Sequence, residues 1–418
     1  CLAGMNVARL NFSHGTHEGH LEYINMIKKV REKLNLPVAI MLDTKGPEYR
    51  IRKFENDKVS LKSGDDVTFT TDDVLGNQTR VSVNYEALAE ELEPGDRILL
   101  NNGLLEFTVK NIDGHNINCV VNAGGELSNR KSMSFPGKVL KQTFLSEQDK
   151  SDILFGIENG IDFIACSFVS VRQDLIDIKN FISEHGGEGV SLIAKIENRS
   201  GIDNIEEICK ECDGIMIGRG DLGVEIPFEE LPAIQKQIIT ECRLLGKRVI
   251  TATEMLESMI HEKRPTRAEI SDVANAVYDG TSAIMLSAET ASGQYPVLTV
   301  ETMARIAKKT EESIDYRTHF SASDFKIRNS MDAISHAACS LSNDLNAQAI
   351  VVCSLSGKTA RMVSRFRSPI DIMGLCVDQK VYRQLALSWG VTPVMCERYP
   401  SVDVLFYTAK KLTKEKFG

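Results

Sequence analysis

Runs of apolar, mostly β-branched residues recur along this chain, and most of them stop abruptly on charged or hydroxyl side chains. Seven such runs read as strands: Asn6 to Ser13, Val38 to Asp43, Phe163 to Val169, Ser191 to Glu197, Gly214 to Asp221, Arg248 to Glu254 and Ala283 to Glu289. Helical periodicity separates most of them, as in Glu18 to Leu34 and Leu231 to Leu245. Strand bodies apolar throughout are what a parallel sheet covered on both faces demands. Polar chemistry gathered at the carboxyl ends is what the active face of a (β/α)8 TIM barrel demands. Seven strands are one short of that barrel. Cys1-Leu2-Ala3-Gly4 reads as the tail of a helix, so the first strand and most of its helix are expected to precede Cys1.

The rhythm breaks once. From about Pro47 to Phe144 the pattern shifts to short alternating strands punctuated by turn signals such as Pro94-Gly95-Asp96 and Asn102-Gly103. This predicts a small all-β unit inserted at a strand's carboxyl end, over the active face, where it would act as a lid. After Glu289 two helices are expected, ending near Tyr316, then a polar linker from Thr318 to Asn329. A further α/β unit follows: helix Ser330 to Leu345, strand Ala349 to Ser354, helix Ala360 to Phe366 and strand Ile372 to Val377. The expected division is residues 1–46 and 144–317 for the barrel, 47–143 for the inserted β unit and 325–418 for the C-terminal α/β unit, which reads as incomplete.

Composition narrows the function. The net charge is -9 with no long basic run, which argues against a nucleic-acid partner. No apolar stretch is long enough to span a bilayer. Most of the ten cysteines fall inside apolar patterns, as expected of reduced thiols in a cytoplasmic protein. Cys209 and Cys212 form a lone C-x-x-C in a helical stretch, with no second pair to complete a zinc site.

Two glycine motifs need weighing. Gly218-Arg219-Gly220-Asp221-Leu222-Gly223 matches G-x-G-x-x-G, but a dinucleotide fingerprint opens a helix at once, whereas Val224 to Pro227 reads as extended. Gly357-Lys358-Thr359 resembles the end of a Walker A loop, yet Val352 stands where its first glycine belongs. The loop Ser354, Ser356, Gly357, Lys358, Thr359 still offers hydroxyls and N–H groups to a phosphate ahead of a helix; the plain alternative is a helix cap.

The strand ends carry the sharper signal. Lys195 and Glu197 end one run and Arg219 and Asp221 another; the two carboxylates and the lysine converging there could hold a divalent metal beside a phosphoryl group. Arg9, Asn11, Ser13 and His14 close the first strand; Asp43, Thr44, Lys45 and Arg50 close the second. Oxygen donors from adjacent ends could coordinate a hard cation. Thr251, Thr253, Glu254, Ser287 and Glu289 close two more. Each alone could be a cap; six polar ends together exceed what a structural barrel needs.

The stretches Met5 to Gly15, Leu42 to Glu48, Lys195 to Asn198, Gly218 to Glu225, Thr251 to Met259, Arg264 to Glu269 and Asp272 to Gly280 together resemble pyruvate kinase, and the resemblance covers essentially the whole chain. It implies a barrel with a β lid and a C-terminal α/β domain, and phosphoryl transfer from phosphoenolpyruvate to ADP, giving pyruvate and ATP. It implies that Glu197 and Asp221 hold Mg2+ (or Mn2+), that Lys195 neutralises the transferring group, and that Arg9 bridges phosphate and nucleotide. N–H groups around Gly218, Arg219, Gly220 and Asp221 would receive the substrate carboxylate, and Thr253 would join a proton relay. Asn11, Ser13, Asp43 and Thr44 would cage K+; Asn11, His14, Arg50 and Lys131 would meet the nucleotide. The Ser354 to Thr359 loop would take a phosphorylated allosteric effector, and the assembly would be a homotetramer. Three positions depart from the family's usual residues: Glu254 for glutamine, Ala288 for glycine, and Thr143 for a proline of the lid hinge. Another Mg2+-dependent phosphoenolpyruvate or pyruvate barrel, a lyase or aldolase, and a non-catalytic regulatory homologue stay open at this point.

Overall fold

The computed structural model describes residues 1–138, 140–141, 143–322 and 325–417. Seven parallel strands lie side by side in the order Val7–Asn11, Ala39–Asp43, Phe163–Cys166, Ser191–Ile196, Gly214–Gly218, Arg248–Ala252, Ala283–Ile284. Alternate residues face opposite ways, as strand geometry requires. Ala39, Met41, Phe163, Ala165, Ile193, Met216, Ile250 and Ala252 fill the interior. Ile40, Leu42, Ile164, Leu192, Ile215, Ile217 and Val249 face the surrounding helices. Those helices are amphipathic for the same reason. Leu231–Leu245 buries Ile234, Ile238, Ile239 and Cys242 and stops at Gly246, whose φ of 74° suits a residue without Cβ.

Between the strands Ala39–Asp43 and Phe163–Cys166 the chain builds a separate antiparallel unit around the hairpin Leu105–Asp113 and Asn116–Ala123. Its core includes Phe69 against Phe107, ring centroids 5.1 Å apart, edge to face. Because it leaves from the carboxyl end of Ala39–Asp43, it stands at the polar end of the barrel.

The C-terminal unit is a three-stranded parallel sheet, Ala349–Cys353, Asp371–Cys376 and Val391–Met395. It docks on the opposite, N-terminal rim. Arg383 Nε donates to Asp162 (2.8 Å), Arg361 Nη1 to Asp213 (2.8 Å) and Arg367 Nη2 to the Gly280 carbonyl (2.9 Å). Leu387 joins the barrel's interior cluster, closing it from below. Leu387→Ala is expected to cost about 3 kcal/mol of stability by leaving a cavity, measured by denaturant unfolding.

Several expectations are corrected. The segment after Gly218 is helical over Arg219–Glu225, not extended; Ile226 resumes the extended path. The supposed linker contains a helix, Tyr316–Ala322, begun by Asp315 accepting from Thr318 N–H (3.1 Å) and anchored by Phe320 against the Phe325 and Phe366 cluster. The last barrel strand ends at Ile284, and Ala288–Ala291 is helical. Lys358 and Thr359 lie inside the helix Lys358–Ser364, not in the loop before it.

Candidate active site

Lys195 is the hub of the polar end. Its Nζ lies 3.1 Å from Asp43 Oδ1, 3.0 Å from Glu197 Oε1 and 2.7 Å from Ser167 Oγ. Arg9 Nε donates to the other Asp43 oxygen. Four neighbouring strands therefore meet through one ammonium and one carboxylate. Register makes this possible, since Asn11 pairs with Asp43, and Ala165 with both Asp43 and Ile193.

The electrostatics follow. Burial alone would raise the fully buried Asp43 carboxyl, but Lys195 and Arg9 outweigh it and hold it below the ordinary range. Burial opposes the Lys195 charge, yet Asp43 and Glu197 keep it firmly protonated. Glu197 goes the other way: burial, together with the charges of Asp221 and Asp43, pushes its carboxyl up to about 7 despite Lys195. Asp221 is also raised, by burial first and by Glu48 and Asp43 after it, with Lys195 opposing.

Glycines and strained residues shape the floor. A Cβ on Gly218 would lie 2.5 Å from Glu197 Oε1, so glycine lets that carboxylate reach its place. Phe168 N–H donates to Glu197 Oε2 at 2.9 Å, with Phe168 at φ 58°. Thr253 and Glu254 sit at φ 76° and 55°, costly for a β-branched residue and a known mark of functional segments. Arg219 braces them. Its Nε donates to the carbonyls of Ala252 (3.1 Å) and Thr253 (3.2 Å), and its Nη1 to Asp272 (2.7 Å). Its guanidinium therefore supports the Thr253 turn, which leaves only the backbone N–H of Arg219 for the substrate-carboxylate role expected of this segment.

The remaining residues fall into three groups. Asn11 Oδ1 accepts from Ser13 N–H (3.1 Å), Ser13 and His14 stand exposed in the next turn, and Thr44 is buried with Ser167 N–H on its Oγ1 (3.1 Å). On the inserted unit Arg50 pairs with Glu48 and donates to the Arg130 carbonyl (2.6 Å), which brings it beside Lys131. Ser354 to Thr359 belong to the C-terminal unit, where Lys358 N–H approaches Ser356 Oγ at 3.5 Å. Cys209 and Cys212 are buried, and Cys209 Sγ lies 3.8 Å from Cys242 Sγ. Ser167 is the contact that sequence reasoning missed; its signal is the same strand-end hydroxyl, in Cys166-Ser167-Phe168.

A divalent cation suits Glu197 and Asp221. Burial first, and the neighbouring carboxylates after it, push both carboxyls up, and a bound cation would offset that cost of holding them charged. Among the described residues no group of three or more His, Cys, Asp or Glu forms a metal cage. Two carboxylates with the balance from substrate and water is a Mg2+ pattern.

The helix Arg219–Glu225 also touches the inserted unit. Phe135 N–H hydrogen-bonds the Glu225 carboxyl, and burial pushes that carboxyl up to about 7, with Asp221 adding to the rise. A folded pKa above the ordinary 4.5 means stability falls as pH rises from that value through about 7. Glu225→Gln is therefore expected to raise the Tm at pH 8 and leave it nearly unchanged at pH 4.5, read by thermal unfolding at both pH values.

Two family models match this chain: the pyruvate kinase barrel domain over residues 1–300 and the pyruvate kinase alpha/beta domain over residues 332–417. A pyruvate kinase of Clostridium perfringens is 44% identical over 418 residues, 99% of this chain and 88% of that protein. One from Geobacillus stearothermophilus is 46% identical over 393 residues, 93% of this chain and 67% of that protein. The crystal structure of a pyruvate kinase from Cryptosporidium parvum aligns with a TM-score of 0.96 at 38% identity, over 99% of this chain and 86% of that one.

Proposed function

The chain belongs to the pyruvate kinase family, which transfers the phosphoryl group of phosphoenolpyruvate to ADP, giving pyruvate and ATP in the last step of glycolysis, and we propose how its residues divide that work. The Lys195 hub carries the proposal. A buried ammonium held between two carboxylates is preorganised to meet charge that develops on a transferring phosphoryl group, and it needs no reorganisation to do so. Arg9, oriented by the same Asp43, meets the phosphate from the neighbouring strand.

Glu197 and Asp221 would hold Mg2+ or Mn2+, which supplies charge neutralisation at the substrate's carboxylate and enolate oxygens. The amides of Gly218 to Asp221 receive the substrate carboxylate, supported by the absence of side chains at Gly218 and Gly220. Thr253, held in its strained turn by Arg219, presents its hydroxyl to the enolate face as part of the proton relay. Arg50 and Lys131 on the lid, with Asn11 and His14 on the barrel, take the nucleotide. Ser354, Ser356, Gly357, Lys358 and Thr359 take the phosphate of an allosteric effector.

Asn11, Ser13, Asp43 and Thr44 would hold K+, a reading supported by their adjoining strand ends. Glu48 lies close enough to Asp221 to raise its pKa and pairs with Arg50. In this family an acid at that position goes with K+ dependence and a lysine with independence, because a fixed ammonium replaces the cation's charge. Glu48→Lys is expected to lower the K+ requirement at least severalfold, read from initial rates across a KCl series at constant ionic strength. An unchanged requirement would count against this account of K+.

Exposed Ile270 and Tyr278 on the helix Arg267–Asp279, and Ile334 and Leu341 on the helix Ser330–Asp344, support burial against other copies in a homotetramer. Among the described residues no helix is long and apolar enough to cross a membrane. A cytoplasmic location follows from the glycolytic role.

A further inference from the structure

Beside the cleft, the turn from Ser13 to Thr16 leaves the strand Val7–Asn11 and enters the helix His17–Leu34. His20, in the first turn of that helix, is only 9% exposed. Its ring stacks on Phe12 with centroids 4.0 Å apart, and its Nε2 lies 2.8 Å from the His14 carbonyl oxygen. A carbonyl oxygen only accepts, so Nε2 carries the proton and, in the neutral ring, Nδ1 is a bare lone pair. That Nδ1 is buried and has no hydrogen-bond partner among the described residues. The single strong bond of this imidazole is thus directed at the backbone of the turn.

A second clip lies alongside. His17 Nε2 is 2.6 Å from Asp152 Oδ1 and the His17 ring stacks on Phe155, centroids 4.4 Å apart, tying the turn's far end to the helix Glu147–Glu158. Gln148 Nε2 donates to the same Asp152 oxygen at 2.8 Å. Gly15 has φ 85°, and a Cβ there would come 3.3 Å from His20 Nε2. The turn is thus one of exposed residues around a glycine, pinned from beneath at the His14 carbonyl. Without that pin, ordering the turn would be charged against whatever binds it.

We propose that His20 is a positioning residue for ADP: its Nε2–H bond to the His14 carbonyl fixes the turn that presents His14 to the nucleotide phosphates. The proposal rests on the nucleotide role assigned to His14 above. It predicts an effect on ADP that phosphoenolpyruvate does not share, because the hub around Lys195 is held by other bonds.

Three variants test it: His20→Phe keeps the stack and cannot donate, His20→Gln can donate from near the Nε2 position, and His14→Ala removes the presented side chain. ADP binding is measured by calorimetry with Mg2+ and no phosphoenolpyruvate, and KM for each substrate by steady-state rates. Loss of the pin is expected to weaken ADP about tenfold in His20→Phe, the factor that about 1.4 kcal/mol represents. KM for phosphoenolpyruvate should change by less than about twofold, and His20→Gln should recover most of the ADP affinity. Imidazole 15N shifts should show His20 protonated at Nε2 and bare at Nδ1. If His14→Ala weakens ADP but His20→Phe does not, the proposal fails. It also fails if both substrates weaken together or if His20→Gln is no better than His20→Phe. If His14→Ala leaves ADP binding unchanged, the nucleotide role of His14 falls, and this inference with it. Should His20→Phe not fold, His20→Asn, whose amide is too short to reach the carbonyl, takes its place against His20→Gln.

Discussion

Lys195→Met is expected to lower kcat by roughly a thousandfold, the scale on which removal of one preorganised transition-state charge is felt. The ammonium touches Asp43, Glu197 and Ser167 at once, so its loss also takes the cation from buried Glu197 and leaves buried Asp43 with Arg9 alone. Breaking such a pair costs about 3–5 kcal/mol, and the variant should melt well below the parent. The two effects separate in Lys195→Arg. Charge is kept, so stability should largely return, while the planar fork cannot reproduce three contacts from one point and kcat should stay low. Steady-state rates and thermal unfolding on both variants check this. A loss below tenfold in Lys195→Met would move the phosphoryl role to Arg9.

Gly218→Ala is expected to weaken divalent-cation binding by roughly 10–100-fold, the usual range when a ligand's support is disturbed. A methyl there would meet Glu197 Oε1 at 2.5 Å, and the Glu197 Cγ and Cδ are also close at 2.6 Å and 3.0 Å. The carboxylate cannot back away freely, because its other oxygen is held by Phe168 N–H at 2.9 Å. The variant should bind Mn2+ weakly, as read by electron paramagnetic resonance, while Lys195 retains Asp43 and Ser167. Parent-like Mn2+ affinity would mean that Glu197 is not a ligand.

The barrel was legible because its inner strands are buried on both faces, so they read as unbroken apolar runs ended by polar residues; Ala39–Asp43, for example, is buried at every position. The hub was legible for the same reason, since Arg9, Asp43, Lys195 and Glu197 are the charges that stop those runs. What escaped depends on contacts distant in sequence. The helix Arg219–Glu225 holds two glycines in seven residues and is followed within two by Pro227, so local propensity points away from a helix. Its start turns Arg219 toward Asp272, 53 residues away, and no local pattern announces that. Tyr316–Ala322 reads as polar linker until Phe320 finds Phe366. Val391–Met395 carries Pro393, which an edge strand tolerates but which masks the strand in the sequence.

The most direct test is pyruvate formation from phosphoenolpyruvate and ADP by the folded protein with Mg2+, measured with and without K+. The account predicts pyruvate and ATP in equal amounts, at a rate that collapses when either cation is withheld. No pyruvate from folded protein supplied with both substrates and both cations would contradict it.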